Sequence, residues 1–279
     1  MSNLEPKYSG FVNKDGIDIY YEYYGVGDRP TLILLNGVAM ECRSWLQFIP
    51  PMLEKTDVLI WDYRGQGQST SDDKPYDIGE FADYLKAIVD ELKLKPEHVN
   101  PVGVSFGSFV AVEFLRKYTE SVNKCIISGV ILSNETIYHY QANIGKKMLE
   151  QKLMDIWVDS LYAQLFSSNF LKTIEPYIPK MKEALYNRYK DRTASLGRLL
   201  ETEESYINRV EDFYPEFQKI DKPILLIAGE QDMLTPTFVQ KKITKVFPNI
   251  EYVEFPGSGH LTYMENTKEF IDRTLNFVL

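Results

Sequence analysis

Ser105 sits in the pentapeptide Gly103-Val104-Ser105-Phe106-Gly107. A hydroxyl framed by glycines two positions to either side is what a nucleophilic serine needs on a tight strand-to-helix turn. Such a hydroxyl is a weak nucleophile until a base removes its proton, and histidine titrates in the useful range. The chain offers His98, His139 and His260. His98 starts the run that leads to the serine and belongs at the far end of that strand, while His139 opens a helical stretch. His260 lies in Gly257-Ser258-Gly259-His260, a small-residue loop after the last strand-like run, where a side chain can project over the carboxyl edge of a sheet. It is the best-placed base. A third group must hold the imidazole in the right tautomer and stabilise its charge. Asp232, in Gly229-Glu230-Gln231-Asp232, follows another strand-like run at the same edge. Glu230 competes, but a residue directly after Gly229 is still turning, whereas Asp232 reaches across. Nucleophilic attack by Ser105, with proton transfer through His260, is the chemistry this set would support.

The elements around these residues give them a place. A strand expected at Val99 to Val104 leads into Ser105, and an apolar helix with Phe109, Val110, Val112, Phe114 and Leu115 leads out. The start of that helix supplies backbone N–H groups and a positive dipole end where an oxyanion would form. Short apolar runs recur at Thr31 to Leu35, Val58 to Trp61, Cys125 to Leu132, Pro223 to Ala228 and Glu251 to Phe255, most of them separated by helical segments. This alternation predicts a mostly parallel sheet flanked by helices. Two earlier runs, around Gly10 to Asn13 and Ile17 to Tyr24, flank Lys14-Asp15-Gly16 and predict a hairpin. A crossover helix is expected between the runs at Thr31 and Val58. Ile78, Phe81, Leu85, Ile88 and Leu92 share one helical face that should cover the sheet. A last helix is expected from Asn266, capped by that side chain with Glu269 completing a capping box. Pro101 interrupts the strand ahead of the serine, where it removes a ladder donor and predicts a bulge or poor pairing.

Between about Asn134 and Lys219 no convincing strand occurs. Leu153, Ile156, Trp157, Leu161 and Leu165 form one apolar stripe, and Tyr206, Ile207, Val210, Phe213 and Tyr214 a second. The expected organisation is therefore a core of residues 1–133 and 220–279 with a helical cap at 134–219.

The order Ser105, Asp232, His260, together with the glycine-framed serine and the inserted helices, resembles the α/β-hydrolase superfamily over nearly the whole chain. Lesser motifs agree. Leu35-Asn36-Gly37-Val38 looks like the oxyanion loop of that family, and the resemblance assigns the Val38 and Phe106 backbone N–H groups to an oxyanion hole. Asp62-Tyr63-Arg64-Gly65-Gln66-Gly67-Gln68-Ser69 is similar to its D-x-R-G-x-G-x-S turn, where a structural role is expected, and Glu265 stands where the family often has an acid. Three positions depart from the pattern, one of them Pro101. Asn36 replaces a frequent histidine and Ser108 a common glycine, which leaves the Ser105, Asp232 and His260 set intact but blurs the subfamily.

The resemblance implies cleavage of a small-molecule carboxylic ester or thioester through an acyl-enzyme, with no metal or organic cofactor. A serine at the elbow argues against the dehalogenase branch, which uses an aspartate there. The alternative is transfer of the acyl group to an alcohol: Asn36-Gly37 with Ser44-Trp45 resembles the hydroxyalkanoyl-joining acyltransferase of rhamnolipid biosynthesis. A third reading is a ligand receptor that binds through its cap. The net charge of −9 would repel nucleic acid and anionic membranes. Met1 to Gly10 lacks the basic start and apolar run of a signal peptide, and no apolar run approaches the roughly 20 residues of a membrane span. Cys42 and Cys125 are too few for a disulfide framework or a cysteine zinc site, and a cytoplasmic location is expected. Oligomeric state stays open.

Overall fold

The computed structural model describes residues 4–279, so Met1, Ser2 and Asn3 of the segment read as lacking a leader lie outside the described residues. Eight strands form one sheet in the order β1-β2-β4-β3-β5-β6-β7-β8. They are β1 (Tyr8–Lys14), β2 (Ile17–Tyr24), β3 (Thr31–Leu35), β4 (Asp57–Trp61), β5 (Val99–Val104), β6 (Cys125–Ser128), β7 (Ile224–Gly229) and β8 (Ile250–Phe255). The β1–β2 and β2–β4 pairs are antiparallel and all others parallel. This is the mostly parallel sheet that the alternation predicts.

Its parallel strands are buried on both faces, which explains why they read as continuous apolar runs. Alternation sorts their side chains. Ile33, Leu35, Leu59 and Trp61 join one core layer, and Leu32, Leu34, Val58 and Ile60 join the layer on the opposite face. The first layer is closed by α2 (Ile78–Glu91) and α3 (Phe106–Lys117), the second by α1 (Ile49–Met52) and α12 (Thr267–Val278). On α2, Ile78, Phe81, Leu85 and Ile88 are buried, and Asp77 caps its start by accepting from the Glu80 amide at 2.9 Å.

Four expectations need correction. The connection between β3 and β4 holds only a 3-10 turn at Cys42–Trp45 and the single turn of α1, where Pro50 and Pro51 supply no amide hydrogens to extend a longer helix. The second apolar stripe is not one helix. The chain leaves α8 (Thr193–Ile207), makes a 3-10 turn at Val210–Phe213 and enters α9 (Tyr214–Phe217). At the start of α12 Asn266 makes no side-chain capping bond, and Thr267 Oγ1 instead donates to the Tyr263 carbonyl at 2.9 Å. Pro101 causes no bulge: β5 pairs with β3 without interruption from Val99 to Gly103, while its ladder with β6 begins one residue later, at Val102. The Val99 carbonyl and the Ser105 amide both bond on the β6 side, so by alternation the nitrogen of Pro101 also faces that side, just before the ladder starts. The missing donor thus falls at the ladder's mouth.

Between β6 and β7 the chain is helical: α4 (Thr136–Glu150), α5 (Met154–Leu165), α6 (Ser168–Ile174), α7 (Ile178–Tyr189), α8 and α9. Leu149, Met154, Trp157, Val158, Tyr189 and Leu196 pack into a separate apolar cluster that also takes in Ala39 from the loop after β3. Helix α8 ties this segment to the sheet layer. Ser195 Oγ donates to the Gly65 carbonyl at 2.6 Å, and Thr202 Oγ1 donates to the Tyr76 carbonyl at 3.0 Å. Two short helices complete the chain, α10 (Thr237–Gln240) after β7 and α11 (Thr262–Glu265) after β8. No helix among the described residues is long and apolar enough to cross a membrane.

Candidate active site

The turn from β5 into α3 holds Ser105 at φ 51°, a conformation that a residue with a Cβ occupies only at a cost. Its neighbours over-determine that turn. The Ser105 amide donates to the Ser128 carbonyl on β6 at 2.9 Å, and Ser108 Oγ donates to the same carbonyl at 2.9 Å. Both glycines of the pentapeptide are close-approach positions. A Cβ on Gly103 would lie 2.5 Å from the Gly107 carbonyl oxygen, and one on Gly107 would lie 2.2 Å from that of Leu35. Ser108, a departure from the family pattern, thus spends its hydroxyl on locking the turn.

Asp232 lies in the loop after β7 and His260 in the loop after β8, adjacent parallel strands whose carboxyl ends share one edge. His260 Nδ1 is 2.9 Å from Asp232 Oδ2, with both side chains buried. Asp232 Oδ1 accepts from the Leu234 and Thr235 amides at 2.9 and 2.7 Å, and Oδ2 accepts from Thr235 Oγ1 at 2.7 Å and Gln240 Nε2 at 3.1 Å. The carboxylate is therefore held at both oxygens. Glu230 points elsewhere and accepts from the Gly257 amide at 2.7 Å. The imidazole lies against Gly129, where a Cβ would come within 2.7 Å of His260 Cε1. Gly129 directly follows Ser128, the acceptor of the Ser105 amide, and this brings ring and serine to one edge. His260 Nε2 is buried with no hydrogen-bond partner among the described residues.

The loop after β3 completes the edge. Asn36 is buried, its Nδ2 donating to the Trp61 carbonyl at 2.9 Å and its Oδ1 accepting from Trp45 Nε1 at 2.8 Å. Gly37 faces Ser105 so closely that a Cβ there would sit 3.5 Å from the serine Cβ. Neither the Val38 nor the Phe106 amide donates to a protein acceptor among the described residues. Asp62 accepts from the Cys42 and Gln68 amides at 2.7 and 2.9 Å, fastening the turn that follows β4. Arg64 in that turn pairs with Asp72 and Glu80. Glu265 accepts from the Ser167 amide at 2.9 Å, pinning the inserted helices to the His260 loop.

Ser105 opens on a cavity of about 490 Å³ between the sheet edge and the inserted helices. Its wall is mostly apolar, with Met40, Phe48, Trp157, Leu161, Phe166 and Leu185 among the residues that face it. Glu203 on α8 also faces in, and burial pushes its carboxyl up to about 7. Burial likewise raises the hydroxyls of Tyr138 and Tyr263 on the same wall. The other two histidines stand apart. His98 ends a 3-10 turn at the amino end of β5, and His139 on α4 bonds Asn134 at 2.6 Å. Among the described residues no group of three or more His, Cys, Asp or Glu side chains is placed to hold a metal ion.

Sequence reasoning missed Thr235, Gln240 and Glu203. For Thr235 a signal existed, since an aspartate three residues before a threonine can accept its amide in a local turn. Gln240 and Glu203 carry none, because what makes them notable is the element each packs against.

A family model described as the α/β hydrolase fold matches residues 30–267. The chain is 25% identical to the 2-hydroxy-6-oxononadienedioate/2-hydroxy-6-oxononatrienedioate hydrolase of Escherichia coli K12, covering 93% of this chain and 90% of that one. It is also 25% identical to 3-oxoadipate enol-lactonase 2 of Acinetobacter baylyi, with 91% and 90% covered. Among solved structures it resembles MGS-M2, an α/β hydrolase enzyme from a Medee basin deep-sea metagenome library, with a TM-score of 0.88, 25% identity and 96% of each chain covered. These relationships support hydrolase activity.

Proposed function

The chain belongs to the α/β hydrolase fold family, and we propose that within it the protein is a serine hydrolase cleaving a carboxylic ester or thioester. The single observation that carries this reading is the buried Asp232–His260 pair, its Nε2 unpartnered, at the same sheet edge as the strained Ser105. In the proposed reaction His260 Nε2 takes the proton of Ser105 as its oxygen attacks the carbonyl carbon. Asp232 keeps the Nδ1 hydrogen in place and stabilises the imidazolium. The oxyanion of the tetrahedral intermediate is received by the Val38 and Phe106 amides, one from the loop after β3 and one from the start of α3. His260 returns its proton to the leaving oxygen or sulfur, then activates a water that releases the acid.

Residues 134–219 act in this reading as a cap over a core of residues 1–133 and 220–279. The apolar cavity suits an acyl group of several carbons and excludes bulk water from the acyl-enzyme. Hydrolysis is favoured over transfer to an alcohol because the relatives named above are hydrolases. Cys42 and Cys125, both buried and unpaired, fit a reducing compartment such as the cytoplasm.

Labelling with a fluorophosphonate probe tests the nucleophile. Native protein should label, and Ser105→Ala should not; equal labelling of both would sink the assignment. Ester and acyl-thioester panels of increasing chain length, with and without an alcohol, then separate hydrolysis from transfer.

A further inference from the structure

Glu203 is a buried carboxyl on the cavity wall that acyl chemistry on Ser105 does not use. It lies on α8, is 8% exposed, and faces the same space as Ser105. Among the described residues no salt bridge includes Glu203. Its neighbour Glu204 takes Lys146 and His139, Arg198 of the same helix is drawn to the Asp72 carbonyl and to Asp73, and Arg188 on the cavity wall is paired with Glu41 at 3.7 Å. The titratable groups that face Glu203 are the Tyr138 hydroxyl from α4 and the His260 ring from the loop after β8. The Tyr138 hydroxyl favours the charged carboxyl, and the His260 ring is itself paired with Asp232.

A carboxyl held in an apolar space without a salt-bridge partner costs free energy whenever it ionises, and the cost is reduced when a cation is brought to it. Of the other polar groups on this wall among the described residues, Gln141 and Gln164 are neutral and the one cation, Arg188, is paired with Glu41. We propose that Glu203 receives an ammonium nitrogen of the substrate, so that the preferred esters or thioesters carry a primary or secondary amine. The amine binds as the cation, the carboxyl as the anion, and the ion pair forms inside the cavity. This inference rests on the proposed serine-hydrolase reading and names the substrate class of that site. It adds no step to the reaction: Glu203 orients the substrate and Ser105 still attacks.

Matched 2-naphthyl esters provide the test, because an ammonium group and a methyl group have similar size. Glycyl, β-alanyl and 6-aminohexanoyl esters are compared with propanoyl, butanoyl and heptanoyl esters on the full-length protein. In the native protein at least one amino ester should exceed its apolar counterpart by about tenfold or more in kcat/KM. Glu203→Gln should lower that ester by about tenfold to a hundredfold, mainly through KM, and leave the apolar esters within about threefold. An absence of any amino preference, or an equal change in both series, overturns the inference. If Glu203→Gln does not fold, the native comparison alone decides. Turnover of apolar esters that Ser105→Ala abolishes, without an amino preference, removes this inference and leaves the serine-hydrolase reading standing. Turnover of neither series removes both.

Discussion

At Asp232 every lone pair that matters has a donor, and this makes one substitution decisive. The Leu234 and Thr235 amides fix Oδ1 as an acceptor, so Asp232→Asn must keep its carbonyl oxygen there. Its amide nitrogen then falls at the Oδ2 position, facing His260 Nδ1, Thr235 Oγ1 and Gln240 Nε2. A donor at that position forces the imidazole hydrogen onto Nε2, the atom that accepts the serine proton in the proposed reaction. We expect kcat for ester cleavage to fall by about 10⁴ near neutral pH while substrate binding changes little. A variant that retains kcat within about tenfold would mean that Asp232 does not set the tautomer. Ser105, Asp232 and His260 were legible in the sequence because chain order and flanking glycines expose them. Thr235 was legible only as a partner of a local Asp232 turn, and Gln240 was not legible, since a glutamine becomes part of a carboxylate cradle only once α10 has folded beside β7.

The elements show why two glycines that look alike in sequence differ in consequence. Gly107 lies at the start of α3 where the helix meets β3, and a Cβ there would meet the Leu35 and Asn36 carbonyl oxygens at 2.2 and 2.9 Å. These are backbone atoms that cannot rotate away, so α3 would have to shift and Ser105 with it. Gly197 lies inside α8, where an added Cβ meets nothing within 4 Å. Gly107→Ala should therefore destabilise by about 3 kcal/mol or more through overpacking. Gly197→Ala should stabilise by about 0.5–1 kcal/mol through helix propensity. Urea unfolding of both variants checks the pair, and similar effects at the two sites would refute the steric argument. The apolar stripe of α2 could be read directly, because one face of it lies on the sheet. The break after Ile207 could not: Asn208 and Arg209 follow without a glycine or proline to mark it, and the turn is set by packing of Val210 and Phe217 into the core. Pro101 misled for a related reason, as the sequence does not say where the β6 ladder begins.

At the scale of the whole molecule, Glu203 couples the stability of the fold to pH. In the unfolded chain its carboxyl loses its proton near 4.5, and in the folded protein near 7, because burial disfavours the charge. Between those values the native state holds more protons than the unfolded state, so this group's contribution to stability falls as pH rises through that window and is flat above it. The difference amounts to roughly 3 kcal/mol when fully developed. Glu203→Gln does not titrate, so the stability of the variant relative to the native protein should increase from pH 5 to pH 8 by roughly that amount, measured by denaturant unfolding at both pH values. Taking the difference cancels the titration of every other group that the substitution leaves undisturbed. The size of the effect also reports how closed the molecule is. Ser195 and Thr202 fasten α8 to the Gly65 and Tyr76 carbonyls, and release of those bonds would expose the carboxylate further to water. A full pH difference means that α8 stays docked while Glu203 ionises; a difference near zero means that the inserted helices open instead. If an amine is the natural partner of Glu203, adding hexylammonium at pH 8 should stabilise the native protein and not the Gln variant, because a ligand that binds only the folded state offsets the ionisation cost. Equal stabilisation of both proteins would show that the amine binds somewhere else.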